Sequence, residues 1–354
     1  MHARRIVVMK GLVTYSARQS LTSFKGSVDE LRNRGIEINL MHFSERLNIW
    51  NIKKIACESR IIFEILAGKY DFVILNSGAG LLLRPKFACL LALASLLKKR
   101  KTYVLWRNAA IKFQECRARS GNVLYSLTKK VFSFKKITHL CISPQTGHDV
   151  QQELKVEMPI CIWNCQKMPS FCLERVIPED PPIVLNVGSV TARKSPDLFV
   201  DVAKVVCAAH PTVRFVWVGG SAPSDLLNEI HASGLASRII FRPHERDPYK
   251  WMQKASVFFL SSRSEAFGLV IAEAMACSRT TICFAGTGAA EVIGKDGVIA
   301  PQYDVDFVAS NILSIINKKA DDRICDASRN KYLNSFSPDV YARNLETILR
   351  SANL

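Results

Sequence analysis

No CxxC pair and no Cys/His group at zinc spacing occurs in these 354 residues. The eleven cysteines are scattered from Cys57 to Cys325, and the only tight group, Cys161, Cys165 and Cys172, has no histidine beside it. Such usage fits thiols in a reducing cytoplasm better than a disulfide framework. The seven histidines lie far apart, so no metal site is expected. Long apolar runs are missing too. The start, MHARRIVVMKG, is too short in its apolar part for a signal peptide. The run Phe87–Leu97 (FACLLALASLL) is eleven residues, about half of what a bilayer span needs, and reads as a buried helix. Neither repeats nor low-complexity tracts are found.

Negative charge is scarce in one half. Residues 1–180 hold 29 Lys+Arg against 14 Asp+Glu, a net of +15, whereas residues 181–354 hold 19 against 17. The densest part runs from Lys98 to Lys136, with twelve basic side chains and one acid, Glu115. It includes Lys98, Lys99, Arg100, Lys101, Lys129, Lys130, Lys135 and Lys136, interleaved with Val123, Leu124, Tyr125, Val131, Phe132 and Phe134. A basic field of this kind attracts phosphates and anionic surfaces. Aromatic RNA-binding motifs and zinc fingers are absent, so a nucleic-acid partner is not expected. Basic residues mixed with apolar ones instead point to docking on an anionic membrane surface, from the cytoplasmic side.

Apolar β-branched runs alternate with amphipathic stretches throughout, the pattern of parallel α/β layers. Arg5–Met9, Ile36–Phe43, Tyr70–Leu75, Thr102–Trp106 and Thr138–Ile142 read as strands, with Ser20–Arg34 as a helix. Gln166–Pro182 holds four prolines without periodicity and reads as a linker. The pattern restarts with strands at Pro182–Val187, Thr212–Val218, Ile239–Phe241, Val257–Leu260 and Thr280–Phe284, and a helix at Pro196–Ala209. Ser337–Leu354 reads as an amphipathic helix opened by Ser-Pro. The expected division is residues 1–168, a linker 169–182, a second domain 183–336, and a helix 337–354 returning to the first.

SRSEAFGLVIAEAMA is the richest segment. After the strand VFFL a polar turn leads into a helix near Phe267–Gly268, with Glu265 at the helix mouth and Glu273 about two turns inside. The first amides of such a helix, around Gly268, Leu269 and Val270, have no internal partners and suit an anion such as a diphosphate. Glu273 sits among small apolar residues, and a carboxylate placed there needs hydrogen-bond donors, for which a ribose diol is suited.

This segment resembles the nucleotide-sugar motif of family 4 glycosyltransferases, in which two glutamates are separated by seven residues. VLNVGSVTARKSPDLFVDVA, FVWVGGS, GTGAAEVI and GVIAPQYD extend the resemblance over nearly all of residues 183–354. It implies the GT-B architecture: two Rossmann-like α/β domains facing across a cleft, the N-terminal one taking the acceptor and the C-terminal one the donor. It also implies transfer with retention of anomeric configuration from a UDP-, GDP- or ADP-linked sugar, without a cofactor. Carried over, Glu265 and Lys194 serve catalysis, Glu265 on the transferred sugar and Lys194 on the leaving diphosphate. Glu273, Phe267, Gly268, Leu269, Val270, Arg193, Gly188 and Gly11 then bind the donor. The membrane field adds a lipid-linked or envelope-polysaccharide acceptor.

Departures are visible. Ser189 follows Gly188 where the family has arginine, Ala17–Ser20 contains no glycine and leaves Gly11 as the nearby one, and the histidine common near the fourth strand is missing from Trp106–Ala110. A sugar-nucleotide epimerase of the same shape is the alternative among enzymes, and a basic nucleic-acid binder the alternative outside them. Asp304-Val305-Asp306 matches a DxD metal motif by letter but lies beyond the nucleotide-sugar segment.

Overall fold

The computed structural model describes residues 9–15, 22–42, 52–76, 85–174, 176–317 and 322–351. The chain divides into two compact units, Met1–Lys167 with Pro338–Leu354, and Met168–Ser337. Each is built on a six-stranded, fully parallel sheet.

Unit 1 contains β1 (Met9–Tyr15), β2 (Ile36–His42), β3 (Phe72–Asn76), β4 (Lys101–Trp106), β5 (Ile137–Cys141) and β6 (Ile160–Cys161), in the order β2-β1-β3-β4-β5-β6. Its helices are α1 (Thr22–Asn33), α2 (Ile52–Leu66), α3 (Pro85–Leu97), α4 (Ala109–Phe132) and α5 (Pro144–Leu154). Every residue of β3 is buried, as expected of a parallel strand covered on both faces. Trp106 at the end of β4 anchors the core, tilted against Phe113 at 5.1 Å and edge-on to Phe132 at 6.0 Å. Its indole N–H donates to Nδ1 of buried His139 at 3.0 Å, and burial lowers that imidazole's pKa to about 4.

Unit 2 contains β7 (Ile183–Val187), β8 (Arg214–Val218), β9 (Ile239–Arg242), β10 (Val257–Leu260), β11 (Thr280–Phe284) and β12 (Val298–Ala300), ordered β12-β11-β10-β7-β8-β9. Helices α6 (Pro196–Ala209), α7 (Ser224–Ala232), α8 (Tyr249–Lys254), α9 (Leu269–Ala276), α10 (Gly288–Ile293), α11 (Val305–Asn317) and α12 (Asp322–Lys331) complete it. Phe199 on α6 packs against Phe215, Trp217 and Phe259 at ring separations of 5.4, 5.3 and 6.2 Å. The order reverses between β7 and β10, and in doubly wound sheets ligands bind outside the carboxyl ends of the strands at such a reversal.

The last helix, α13 (Pro338–Ser351), belongs to unit 1. Leu345 and Leu349 are buried, and Arg34 beyond α1 reaches Asp339 at 2.8 Å and Glu346 at 3.2 Å. Those carboxylates raise the guanidinium's pKa, Asp339 foremost.

The strand placed at Arg5–Met9 lies mostly outside the described residues, among which a strand runs Met9–Tyr15. Two readings change. The run Phe87–Leu97 is a helix that is buried on one side only: Phe87, Ala88, Leu91, Ala92 and Ala94 join the core, while Leu90, Leu93 and Leu97 form an exposed stripe, with Leu97 77% exposed. Gly11 is a residue of β1 and not of a loop. A Cβ there would meet the Phe72 ring at 2.0 Å, so the glycine makes room for the neighbouring strand's aromatic side chain. Ala17–Ser20 lies outside the described residues.

Candidate donor site

The site is built where β7 and β10 end. Beyond β7 the backbone passes Gly188, at φ +152°, whose carbonyl accepts the Trp217 indole N–H at 2.7 Å. Gly219 crosses so close that a Cβ on it would lie 2.2 Å from the Gly188 oxygen, so two glycines meet where no side chain fits. A single 3₁₀ turn, Ala192–Lys194, then lifts Arg193 and Lys194 before Ser195 and Pro196 start α6. Beneath Lys194 lies a chain the sequence did not mark: Asn186 Nδ2 donates to Ser261 Oγ at 3.1 Å, and Ser261 Oγ donates to the Lys194 carbonyl at 3.0 Å. That chain ties the two strand ends together and fixes where Lys194 starts.

Glu265 lies in the turn after β10. Its Oε1 receives both Lys194 Nζ and Arg193 Nη1, the latter at 2.8 Å. The Lys194 and Glu265 side chains are only 10% and 11% exposed, while Arg193 is 44% exposed and also reaches the Ser264 carbonyl at 2.8 Å. Two cations share one anion, so the cluster keeps an excess of one positive charge. A partly buried excess charge is costly unless an anion completes it.

Three residues on, Gly268 takes the left-handed conformation, φ +77°, as the N-cap of α9. A Cβ there would be 3.0 Å from Ala289 Cβ, so glycine serves both the turn and the packing. The Thr287–Gly288 loop closes over the turn: the Gly288 N–H donates to the Glu265 carbonyl at 2.7 Å, and a Cβ on Gly288 would meet the Ala266 oxygen at 2.2 Å. Leu269 and Val270 open α9, where the first amides lack helical acceptors. Phe267 differs from the donor contact expected of it. Its side chain is buried against Phe336, edge-on at 5.6 Å, and forms a wall.

Glu273 lies on α9 with buried Ala272 and Ala274 on either side. No side-chain donor meets its carboxylate among the described residues, and burial raises its pKa to about 7. Nearby, Arg263 grips Asp197 through two contacts of 2.9 and 2.5 Å and lies over the Tyr303 ring at 5.6 Å. Asp304 Oδ1 accepts the Phe307 N–H at 2.9 Å, so the first aspartate of the DxD letters caps α11. Among the described residues no group of three His, Cys, Asp or Glu side chains is placed to hold a metal.

The basic residues of unit 1 do not act alike. Lys98, Lys99, Lys130, Lys135 and Lys136 are exposed. Arg100 instead donates to the Gly68 carbonyl at 3.1 Å, and Lys101 to the Leu349 carbonyl at 3.1 Å. Lys129 pairs with Glu153 at 2.7 Å. Of the interleaved apolar residues, Tyr125 and Phe132 are buried, whereas Val123 and Phe134 are exposed. A hollow is lined by Leu93, Leu96, Leu97, Phe134, Lys135 and Lys136.

Residues 174–331 match the profile of the family described as glycosyl transferases group 1. The match spans less than half of the chain. The chain is also similar to D-inositol 3-phosphate glycosyltransferase of Mycolicibacterium paratuberculosis, 32% identical over 155 residues. That alignment spans 41% of this chain and about a third, 34%, of the relative. Among solved structures, Anabaena HepE in complex with UDP and glucose superposes with a TM-score of 0.68 at 15% identity, over 97% of this chain and all of that one. A glycosyltransferase from Rickettsia africae gives a TM-score of 0.71 at 16% identity, over 97% and 98% of the two chains. The fold, two Rossmann-like units, is that of GT-B glycosyltransferases.

Proposed function

We propose that the protein is a retaining glycosyltransferase that moves a sugar from a nucleotide sugar, bound by unit 2, to a lipid-linked or envelope-polysaccharide acceptor bound by unit 1. The observation that carries the donor half is the Lys194–Arg193–Glu265 cluster, with its excess positive charge, three residues ahead of the open amides of α9. Leaving of a nucleoside diphosphate requires fixed positive charge where negative charge develops. Lys194 supplies it, and the amides of Leu269 and Val270 hold the phosphate or sugar oxygens. Once the diphosphate draws Lys194 away, Glu265 turns its oxygens to the sugar hydroxyls. Glu273, without a side-chain donor among the described residues, accepts the ribose diol. The likeness of this motif to a retaining family supports the stereochemical part. Titration with UDP, GDP and ADP in turn should show one nucleoside diphosphate binding well ahead of the others. If none binds, the donor assignment is wrong.

The acceptor half rests on the surface of unit 1. The exposed stripe Leu90, Leu93 and Leu97 stands beside Lys98, Lys99, Lys135 and Lys136, a basic and apolar face suited to lying on an anionic bilayer. No helix among the described residues is long and apolar enough to cross a membrane. Each exposed lysine near such a surface contributes about 1 kcal/mol. The full chain should therefore sediment with vesicles containing phosphatidylserine at low salt and leave them as salt rises. Replacing Lys98, Lys99, Lys135 and Lys136 with glutamine should release it without altering nucleotide affinity. Arg100 and Lys101 are left in place, because both hold carbonyls inside unit 1. Wild-type protein that ignores these vesicles at low salt would remove the membrane from this reading.

A further inference from the structure

Unit 1 holds a second polar cluster that none of the donor residues enters. Asn76 is the last residue of β3, Arg107 the first beyond β4, and Asn164 follows β6. The guanidinium of Arg107 is fixed on two sides: Nε donates to Asn76 Oδ1 at 3.0 Å and Nη1 to Asn164 Oδ1 at 3.1 Å. Its Nη2 is out of reach of solvent and donates to no group among the described residues. The titratable groups that face it are the Tyr341 hydroxyl and the Cys165 thiol. Both stay protonated and neutral at physiological pH, since burial lifts the thiol to about 12 and the phenol also upward. Thus no carboxylate answers this charge among the described residues.

A structural arginine in a protein interior is normally matched by an acid, because a desolvated charge without a partner is strongly unfavourable. Here two asparagines supply neutral oxygens that set the plane of the guanidinium while cancelling none of its charge. Planar, oriented guanidinium with unspent donors is the form in which proteins recognise carboxylate and phosphate. The location agrees. The sheet of unit 1 reverses its order between β1 and β3, and Asn76 and Arg107 stand at the carboxyl ends of β3 and its neighbour β4. Thr14, near the carboxyl end of β1 across that reversal, also keeps a buried hydroxyl without a partner among the described residues. Polar groups left unsatisfied at the ligand-binding end of such a sheet mark a place where something else completes them.

We propose that Arg107, held by Asn76 and Asn164, is an oxyanion subsite of unit 1 that receives a phosphate or carboxylate carried by the acceptor. The assignment rests on the reading of unit 1 as the acceptor side, and it restricts the acceptor to acidic molecules.

The test uses the full chain saturated with UDP, so that anions no longer gain from Lys194. Glucose 6-phosphate, glucuronate and glucose are titrated at matched ionic strength, separating a phosphate, a carboxylate and a neutral sugar. One of the two acids should bind well ahead of glucose. Arg107→Gln should weaken that binding roughly ten- to a hundredfold, the loss of one charge-assisted contact, with UDP affinity unchanged. Arg107→Lys should fall between the two. The idea is overturned if neither acid outbinds glucose on the wild type, or if Arg107→Gln or Arg107→Lys binds the acid as wild type does. If Arg107→Gln does not fold, the wild-type titration and Arg107→Lys still decide. Repeating the titration on Lys194→Ala without UDP keeps the two sites apart. Loss of UDP binding alone would sink the donor reading and leave the Arg107 result standing.

Discussion

Replacing Lys194 with alanine should lower the rate of sugar transfer by about two to three orders of magnitude, the scale seen when one preorganised group is removed from a developing negative charge. Donor affinity should fall far less, because the lysine is worth most once the diphosphate begins to leave. The fold should survive. Glu265 keeps Arg193 at 2.8 Å after the substitution, so the change does not leave an unpaired buried carboxylate. Arg193→Ala should have the smaller effect, since that side chain is 44% exposed and spends a donor on the Ser264 carbonyl. Both kinetic constants, measured with saturating acceptor, separate these outcomes. A fully active Lys194→Ala beside a dead Arg193→Ala would show that the two neighbours had been assigned in the wrong order.

Glu273→Gln should weaken nucleoside diphosphate binding about tenfold or more and at the same time make the free protein more stable above neutral pH. Burial holds the folded carboxyl at about 7, against an ordinary value of 4.5. Between those values the folded state keeps a proton that the unfolded chain has released. Stability therefore falls as pH rises from 4.5 to 7, and the loss persists above that. The full penalty is about 3 kcal/mol, and glutamine, which never ionises, abolishes it. Ribose hydroxyls donate to the carboxylate best when it is charged, so wild-type affinity should rise as pH increases through 7, whereas the glutamine variant should show no such rise. Chemical denaturation at pH 5 and pH 8, paired with calorimetry at both, reads each arm. Equal pH dependence in the two proteins would remove Glu273 from the ribose site. The arrangement is the ordinary exchange of stability for a ligand-ready group.

The sequence was most legible where letters and burial obey one rule. The strands of unit 2, such as IVLNV and VFFL, are continuous apolar runs because helices cover both faces, and they appear within two residues of their expected bounds. It misled where a residue's usual habit gave way to a neighbour. Gly11 suggested a loop, but the ring of Phe72 takes the space of its missing side chain. FACLLALASLL suggested burial all round, yet Leu90, Leu93 and Leu97 face outward, a choice made by which helices happen to cover α3. β6 and β12, of two and three residues, are too short to carry any periodicity. In the candidate donor site the charged letters were visible. The Asn186–Ser261 link under Lys194 was not, because its two members are 75 positions apart and neither is unusual in its own segment. Arg107 left one faint trace, an arginine close to where a histidine was expected.

The placing of α13 bears on how the molecule is made and handled. Unit 1 is written in two pieces, and the whole of unit 2 lies between them. A ribosome finishes unit 2 before it delivers the helix whose Asp339 and Glu346 hold Arg34 and whose Leu345 and Leu349 complete the first core. Until then, the surface α13 will cover stays bare, so maturation of unit 1 waits on the later domain. Cutting the gene at the linker would consequently yield an open fragment. An independent unit 1 calls for residues 338–351 rejoined to Lys167 by a short splice.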